Sequence, residues 1–316
     1  MNSDPLVTVL MNCYNSEKFL KEALTSVVEQ SYANWQLLFV DNHSTDSSSK
    51  ILEEFLPDSR IVYLKTPTHM DLGEAREFAM DYCGGEYLAF LDTDDRWVPH
   101  KLEEQVKLFE RESEVVFCYS SFYIMDGEGK TTGQTDLEYR KGNLFGRNLV
   151  RNEICFQTAM VRKNTLDRIK RPWFDPNLQY GPDFDLFMRV FAEGTAVCLP
   201  EKLAHSRKTP DSLTKKLVHR WGIEREYTYN HLEKSGAVEK FSTKEQQVQA
   251  KKTIEIAKLS YHLKVHDYQQ ARKLLKNHKS HSLRFFALYY LSFFPGLLRS
   301  LREFYARRKT SKQWFE

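Results

Sequence analysis

The sequence predicts an α/β protein with a mostly parallel sheet, helices on both faces of that sheet, and a helical region at the C-terminus. Short apolar runs alternate with helical patterns through the first hundred residues, and only helical patterns follow residue 214. Alternation of strands and helices is typical of a parallel sheet covered on both faces. A length of 316 residues favours one unit with an appendage, or two domains.

Four short apolar runs in the first hundred residues are predicted to be strands. They are residues 6–11, 35–40, 60–64 and 87–91. Between them, residues 16–29 and 72–82 each place apolar side chains along one helical stripe.

Beyond residue 114 the pattern is less regular, and we interpret residues 115–214 as the second half of the same domain. Strands are predicted at 115–124 and 155–161, with a turn at 126–129. The remaining residues, 215–316, form the basic helical region. Its predicted helices are 215–234, 243–263, 267–278 and 282–308.

The net charge of +3 conceals an asymmetry between the two parts of the chain. Residues 215–316 contain 22 Lys+Arg and 9 Asp+Glu, a net charge of +13, and residues 1–214 contain the remaining 24 and 34, a net charge of −10. A strongly basic region predicts an anionic partner.

The cysteines and the N-terminus indicate a reducing compartment. Five cysteines stand far apart, mostly in apolar runs, without a C-x-x-C pair, so we expect buried, reduced thiols. The N-terminus lacks the basic start and long apolar stretch of a secretory signal, which favours a cytoplasmic protein. The cysteines are Cys13, Cys83, Cys118, Cys155 and Cys198.

Polar segments follow three of the predicted strands, at 12–15, 41–46 and 92–95. Ligands bind beyond the carboxyl ends of parallel strands, so these segments should converge on one rim. The sequence Asp92-Thr93-Asp94-Asp95 places three acids together, which is costly without a cation. Mg²⁺ and Mn²⁺ prefer oxygen ligands and are often completed by substrate phosphates. The alternative is an acidic turn that caps the helix beginning near Pro99.

Taken in order, residues 7–15, 40–46 and 73–95 resemble the family 2 glycosyltransferases, which have the GT-A fold. The resemblance covers roughly the first two-thirds of the chain. A chance match to several ordered motifs is much less frequent than a match to one. It implies a GT-A catalytic domain over residues 1–214, in which residues 1–114 bind the nucleotide-sugar and residues 115–214 face the acceptor.

The resemblance assigns a role to each matching rim residue. Tyr14 is expected to pack on the donor base and Asp41 to hydrogen-bond it, while Arg76 lies near the donor. Asp92 and Asp94 match the Asp-x-Asp pair, whose first acid contacts the ribose or metal and whose second coordinates the Mn²⁺ or Mg²⁺ that bridges the diphosphate. Ordinary packing for Tyr14 and surface charge for Arg76 are the alternatives.

A later segment, residues 180–189, resembles the family's Glu-Asp-x-Asp-Leu-x-x-Arg sequence, whose second acid is the catalytic base. Asp183 occupies that position. An inverting transfer needs such a group, because the acceptor hydroxyl must lose its proton as it attacks the anomeric carbon. A helix N-cap is the alternative role for Asp183 and is compatible with the first. Asp185 is the weaker candidate and is expected in the first turn of a helix.

The sequence also departs from the family pattern. In residues 206–214 Arg207 is kept and is predicted to bind the donor, whereas Thr209 replaces a common histidine that touches the diphosphate or metal. That change leaves the metal shell and the choice of donor open. The other departures are Asn12 for proline, Asn42 for a frequent second aspartate, Glu77 for asparagine and Pro182 for an acid.

The predicted helix 282–308 is apolar almost all round. Its uninterrupted apolar run, 285–298, is short of the roughly 20 residues needed to cross a bilayer. Because Arg and Lys flank it, segment 282–312 suits peripheral contact with an anionic membrane, on the inner face of the plasma membrane. Packing against the catalytic domain or a second subunit is the alternative. Nucleic acid is a poorer candidate, since no recognition motif is present.

Together these features imply an inverting, metal-dependent glycosyltransferase. It would move a sugar from a nucleoside-diphosphate sugar, UDP above all, to a hydroxyl of a glycan or lipid-linked acceptor in bacterial surface polysaccharide synthesis. One alternative is a sugar nucleotidyltransferase, although its Gly-rich basic loop after the first strand is absent. The other is a non-catalytic, membrane-associated scaffold with a vestigial donor site.

Overall fold

The computed structural model describes residues 4–209, 212–278, 283–294 and 296. Its strands are β1 (Val7–Cys13), β2 (Trp35–Asp41), β3 (Ile61–Lys65), β4 (Tyr87–Phe90), β5 (Arg96–Trp97), β6 (Val115–Met125), β7 (Thr131–Gln134), β8 (Arg140–Gly142), β9 (Met160–Arg162) and β10 (Thr195–Arg207). Its helices are α1 (Leu20–Val28), α2 (Ser48–Glu53), α3 (Leu72–Met80), α4 (Lys101–Arg111), α5 (Phe145–Val150), α6 (Lys163–Leu166), α7 (Pro182–Phe191), α8 (Leu213–Leu217), α9 (Trp221–Lys234), α10 (Ala237–Phe241), α11 (Lys244–Lys264), α12 (Tyr268–His278) and α13 (Leu283–Leu291).

The strands form one sheet in the order β3-β2-β1-β4-β9-β6-β10-β5, with β7 beside β6 and β8 beside β10. Neighbours among β1 to β4 are parallel, as are β6 and β10, while β9 runs antiparallel between β4 and β6. Cys13 at the end of β1 is in register with Asp41 at the end of β2. The predicted mostly parallel sheet is therefore confirmed, and its carboxyl ends form one rim.

Helices cover both faces of the sheet, as the alternating pattern predicts. Helices α1, α2 and α4 bury their apolar stripes against one face. Helices α3 and α7 pack on the other face, and α5 and α9 to α11 extend the same buried cluster beyond them. There Phe187 of α7 packs among Phe90, Phe117 and Phe156, with ring centroids 4.9–6.2 Å apart. Burial of one such side chain contributes about 1.5–3 kcal/mol to the stability of the fold, so this aromatic cluster fixes the position of α7 against the sheet.

One predicted strand, residues 155–161, is largely wrong. Residues Phe156–Thr158 form a 3-10 helix, and the strand β9 begins only at Met160. The 3-10 turn leaves two backbone carbonyls free of the sheet. Gln157 accepts a hydrogen bond from the Trp97 indole (2.7 Å), and Thr158 accepts one from the Gln105 amide (2.8 Å).

The C-terminal region is helical, as predicted, but its first helix is interrupted. Helix α8 and a 3-10 turn at Val218–Arg220 precede α9. Side chains of α9 to α11, including Tyr229, Leu232 and Ile254, belong to the same buried cluster as the sheet. The domain division after residue 214 stays a prediction.

The predicted helix 282–308 lies mostly outside the described residues, which show it as α13 up to Leu291. Among the helices that the structure describes, none is both long and apolar enough to cross a membrane. The five cysteines are free thiols, and all but the partly buried Cys155 are buried.

Candidate active site

The segments after β1, β2 and β4 meet at the rim. The Thr93 hydroxyl lies 2.8 Å from the Ser16 hydroxyl, and the Asn15 amide oxygen accepts the backbone N–H of Thr45 at 2.8 Å. Tyr14 is 50% exposed, so one face of its ring is open to a ligand. These contacts bring together residues that lie almost 80 positions apart in the sequence.

Asp41 ends β2 and is almost fully buried. Its carboxylate accepts a hydrogen bond from the Ser44 backbone N–H (2.8 Å) and one from the Tyr63 hydroxyl (3.0 Å). A carboxylate has about four acceptor positions, so Asp41 keeps the capacity to accept a further donor.

Asn42 explains one departure from the family pattern. Its amide nitrogen donates to the Met70 carbonyl (2.7 Å), and its amide oxygen accepts the Met70 N–H (2.8 Å). An aspartate could not donate, so it would lose the first of these bonds. The pair holds the loop before α3 against the rim, where the His69 ring lies 4.3 Å from the Tyr14 ring.

Arg76 lies on α3 and is only 3% exposed, which makes the surface-charge interpretation wrong. Its Nη2 donates to Asp92 Oδ1 at 2.9 Å, and its guanidinium stacks 3.8 Å from the centroid of the Phe156 ring. The next residue, Glu77, accepts the backbone N–H groups of Trp173 and Phe174, each at 2.9 Å. An asparagine, shorter by one methylene, would reach these groups less well.

The acidic cluster contains one paired carboxylate, Asp92, and two whose ionisation is disfavoured. Burial, and then the negative charge of Asp92, raise the pKa of Asp94 to about 6. Burial and both neighbouring acids also raise the pKa of Asp95, which accepts the Arg207 backbone N–H at 2.6 Å. Asp95 therefore joins the rim to the end of β10.

Arg207, predicted to bind the donor, lies directly under the acidic loop, with its side chain 1% exposed. Its guanidinium donates to the Asp94 carbonyl (2.8 Å), the Asp126 carbonyl (3.2 Å) and the Glu22 carboxylate (2.8 Å). Each guanidinium nitrogen thus has a protein acceptor. The neighbouring Thr209 is the last residue described before a gap at 210–211.

Asp183 is the second residue of α7, after Pro182 at the first position and Gly181 at the N-cap. The N-cap role considered for Asp183 is therefore wrong. Pro182 replaces the family's acid without strain, because proline suits the first helical position. Burial raises the pKa of Asp183; the charge of Arg76 opposes this shift and the charge of Asp92 adds to it.

Asp185 is in the first turn, as expected, and it is buried in an ion pair with Arg189. It accepts hydrogen bonds from Arg189 (2.9 Å) and from the Thr228 hydroxyl (3.0 Å), and it is 1% exposed. It does not line the cavity described below.

A cavity of about 180 Å³ opens beside Asp183, between α7 and α9. Sequence reasoning missed the side chains that α9 contributes to it, because no motif marks them. The cavity is lined by Asn152, Tyr180, Gly181, Asp183, Phe184, Thr214, Trp221, Glu224 and Arg225.

Within the described residues, no group of three or more His, Cys, Asp or Glu side chains could hold a metal ion alone. Asp92 and Asp94 supply two carboxylates at the rim. This is the number expected where a substrate's phosphates complete the coordination of a hard cation.

The rim, its acidic cluster and the cavity beside Asp183 are the features of the fold to which the comparisons with known proteins apply. Residues 8–169 match the model of glycosyl transferase family 2. The chain belongs to this family.

A curated relative and two solved structures illustrate the similarity. The chain is 27% identical over 241 residues, 72% of its length and 89% of the relative's, to the Escherichia coli UDP-Glc:alpha-D-GlcNAc-diphosphoundecaprenol beta-1,3-glucosyltransferase WfgD. Its fold is similar to that of S. aureus TarS 1-349 in complex with UDP-GlcNAc, with TM-score 0.59, 17% identity, and coverage of 94% of this chain and 91% of the other.

The second solved structure is the mannosyltransferase PcManGT from Pyrobaculum calidifontis in complex with GDP-Man and Mn²⁺. Its TM-score is 0.58 at 17% identity, with coverage of 95% of this chain and 84% of the other. At such low identity these two structures establish the fold alone, and they confirm the predicted GT-A architecture.

Proposed function

We propose that the chain is an inverting glycosyltransferase that moves a sugar from a nucleoside-diphosphate sugar to a hydroxyl of a glycan or lipid-linked acceptor. The position of Asp183 carries the proposal. The charges of Arg76 and Asp92 act on the pKa of this carboxyl group, and the group lines the cavity between α7 and α9. A base between the donor and acceptor sites is the arrangement that an inverting transfer requires.

The donor would bind at the rim through Tyr14 and Asp41. The open face of the half-exposed Tyr14 ring offers a stacking surface to a nucleobase, and Asp41 retains acceptor capacity for a base N–H. UDP is the preferred nucleotide in this proposal, because the WfgD relative is a UDP-Glc enzyme.

Asp92 and Asp94 fit a divalent cation, Mn²⁺ or Mg²⁺. Their mutual repulsion, which contributes to the raised pKa of Asp94, would be relieved by a cation between them. When bound, the cation would neutralise negative charge on the diphosphate leaving group. Arg207 would act on the donor indirectly, by fixing the Asp94 backbone, because protein acceptors already hold its guanidinium.

The acceptor hydroxyl would enter from the cavity and give its proton to an Asp183 carboxylate oxygen. A raised pKa suits this role, because a base is most effective when its pKa approaches the working pH. The positive charge of Arg76 opposes the effect of burial on the pKa of Asp183 and so favours the ionised form that a base requires.

A role in bacterial surface polysaccharide synthesis is the setting that we propose, by analogy with WfgD, whose name records a diphosphoundecaprenol-linked acceptor. Contact of segment 282–312 with an anionic membrane belongs to the same proposal. Most of this segment lies outside the described residues. In the described part, Phe293 and Phe294 are 50% and 64% exposed.

Two substitutions test the proposed function with a UDP-sugar, Mn²⁺ and a lipid-linked sugar acceptor. Asp183→Asn should lower kcat by about 10²–10⁴-fold and leave UDP binding unchanged, because it removes only the base. Asp94→Asn should weaken Mn²⁺-dependent UDP binding. Asp136→Asn, at a surface ion pair with Lys202, serves as the control.

Wild-type transfer by the Asp183 and Asp94 variants would contradict the proposal. Pyrophosphate release from a nucleoside triphosphate would indicate a nucleotidyltransferase instead. Failure of the wild-type protein to bind any nucleoside diphosphate with Mn²⁺ would indicate a scaffold.

A further inference from the structure

Glu224 of α9 has the most heavily engaged carboxylate near the cavity. It is 5% exposed. One oxygen accepts the backbone N–H groups of Tyr180 (2.8 Å) and Gly181 (3.0 Å). The other accepts the Gln179 N–H (3.2 Å) and the Arg220 Nε–H (2.6 Å). A buried carboxylate is stable only when it is paired and hydrogen-bonded, and these four donors meet that requirement.

The three backbone N–H groups belong to the residues that lead directly into α7. The N-cap residue of α7 is Gly181, which has no side chain to cap the helix, and Pro182 follows it. Glu224 accepts the N–H of this N-cap residue, as the N3 side chain does in a capping box, and it also accepts the N–H groups of the two residues before it. Its negative charge also lies at the positive end of the helix dipole. Asp183 is two residues beyond the last N–H that Glu224 holds.

Helix α9 contacts the same region at three further points. The Tyr227 hydroxyl donates to Asp175 (2.8 Å), and the Thr228 hydroxyl donates to Asp185 (3.0 Å). The Arg225 guanidinium lies 4.2 Å from the Phe184 ring centroid. The segment that carries Asp183 is therefore held from its start to its first helical turn by side chains of one helix.

We propose that Glu224 is a positioning residue for Asp183, which makes α9 of the C-terminal region part of the catalytic machinery. The inference rests on the proposed function of Asp183 as the base. Glu224→Gln would turn one carboxylate oxygen into an N–H donor that faces backbone N–H groups, so the loop 179–181 would lose at least one anchor. Displacement of a catalytic group by about 1 Å can cost about 10²-fold in rate.

The test compares Glu224→Gln with Glu226→Gln, a matched change two residues along α9. Glu226 pairs with Lys258 (2.7 Å) and does not line the cavity. We expect Glu224→Gln to lower kcat by about ten- to a hundredfold while the Kd for UDP with Mn²⁺ changes less than twofold. The Glu226 variant should match wild type. Hydrogen–deuterium exchange should accelerate at the 179–183 amides only in the Glu224 variant.

The outcomes separate the two proposals. If the wild-type protein transfers no sugar, the proposed function fails. Hydrogen–deuterium exchange still shows in that case whether Glu224 holds the loop 179–181. Equal kcat and equal exchange in the Glu224 and Glu226 variants would overturn the positioning role, as would parallel losses of kcat, UDP affinity and Tm. If Glu224→Gln does not fold, Arg220→Gln tests the inference instead, because it removes the side-chain donor to Glu224. A several-fold lower kcat in this variant supports the inference, and a wild-type kcat overturns it.

Discussion

Lys101, the first residue of α4, is completely buried, and within the part of the chain that the structure describes its Nζ has no hydrogen-bond partner. Burial lowers the pKa of Lys101 to about 7, from an ordinary value of 10.5. The ammonium lies 4.0 Å from the Trp97 ring centroid, a contact that favours the charged form. The active site does not use this residue, so its effect on folding can be measured separately.

The free-energy cost of burying the Lys101 ammonium follows from proton linkage. The pKa difference corresponds to about 5 kcal/mol at about 1.36 kcal/mol per pH unit, and this is an upper value, because contact with the indole face stabilises the ammonium by up to about 2 kcal/mol and raises the folded-state pKa accordingly. The net cost is therefore about 3–5 kcal/mol. Because the folded-state pKa is the lower one, the folded state binds fewer protons. The cost is thus full below pH 7, declines between pH 7 and 10.5, and vanishes above that range.

Lys101→Met keeps an unbranched side chain and removes the ammonium. We expect it to raise the free energy of unfolding by about 3–5 kcal/mol at pH 6 and by less than about 1 kcal/mol at pH 10. Urea unfolding at pH 6, 8 and 10 measures the difference. Lys107→Met, on the exposed face of the same helix, should stay within about 0.5 kcal/mol of wild type.

A destabilised Lys101→Met variant at pH 6, or a gain that does not change with pH, would refute this reasoning. The first result would mean that the folded protein stabilises the ammonium at least as well as water does, and the second that the gain comes from apolar packing and not from ionisation.

Two further predictions concern the donor site. Mn²⁺-dependent UDP binding should weaken as the pH falls below about 6, because Asp94 gains its proton there and a protonated carboxyl group does not ligate a cation. Calorimetry at pH 5 and 7.5 tests this prediction, and equal affinity at the two pH values would contradict it. Tyr14→Ala should weaken UDP binding about five- to a hundredfold, because stacking of a base on an aromatic ring contributes about 1–3 kcal/mol; the similarly exposed Tyr82→Ala is the control, and equal Kd values would argue against Tyr14 as the stacking surface.

Local sequence patterns were enough to predict the sheet and the convergence of residues at its rim, because strand periodicity and the polar segment after each strand are local signals. The contacts that support the site are different. Glu224 and Gly181 are about forty residues apart in the sequence, and neither segment contains a local pattern that predicts their hydrogen bond. The 3-10 turn at Phe156–Thr158 was missed for a related reason, since its carbonyls are satisfied by side chains from distant elements.

The burial of Arg76 also could not be predicted from the sequence pattern. An isolated arginine in an amphipathic helix is usually exposed, and only the fold shows that Phe156 and Asp92 surround this one. Asn42 and Glu77 depart from the family pattern, and the structure explains both departures. Each holds backbone groups of a neighbouring loop in place.

The apolar cluster shared by the sheet and α9 to α11 limits how such an enzyme can be recombined. Tyr229, Leu232 and Ile254 are buried where α9 and α11 pack on each other and where α11 packs on α5, within the same cluster as the sheet. A chimera that joins residues 1–214 to the C-terminal region of a different relative would replace one wall of this interior and leave voids or clashes. Because side chains of α9 also hold the start of α7, a functional chimera should take both helices from the same parent protein.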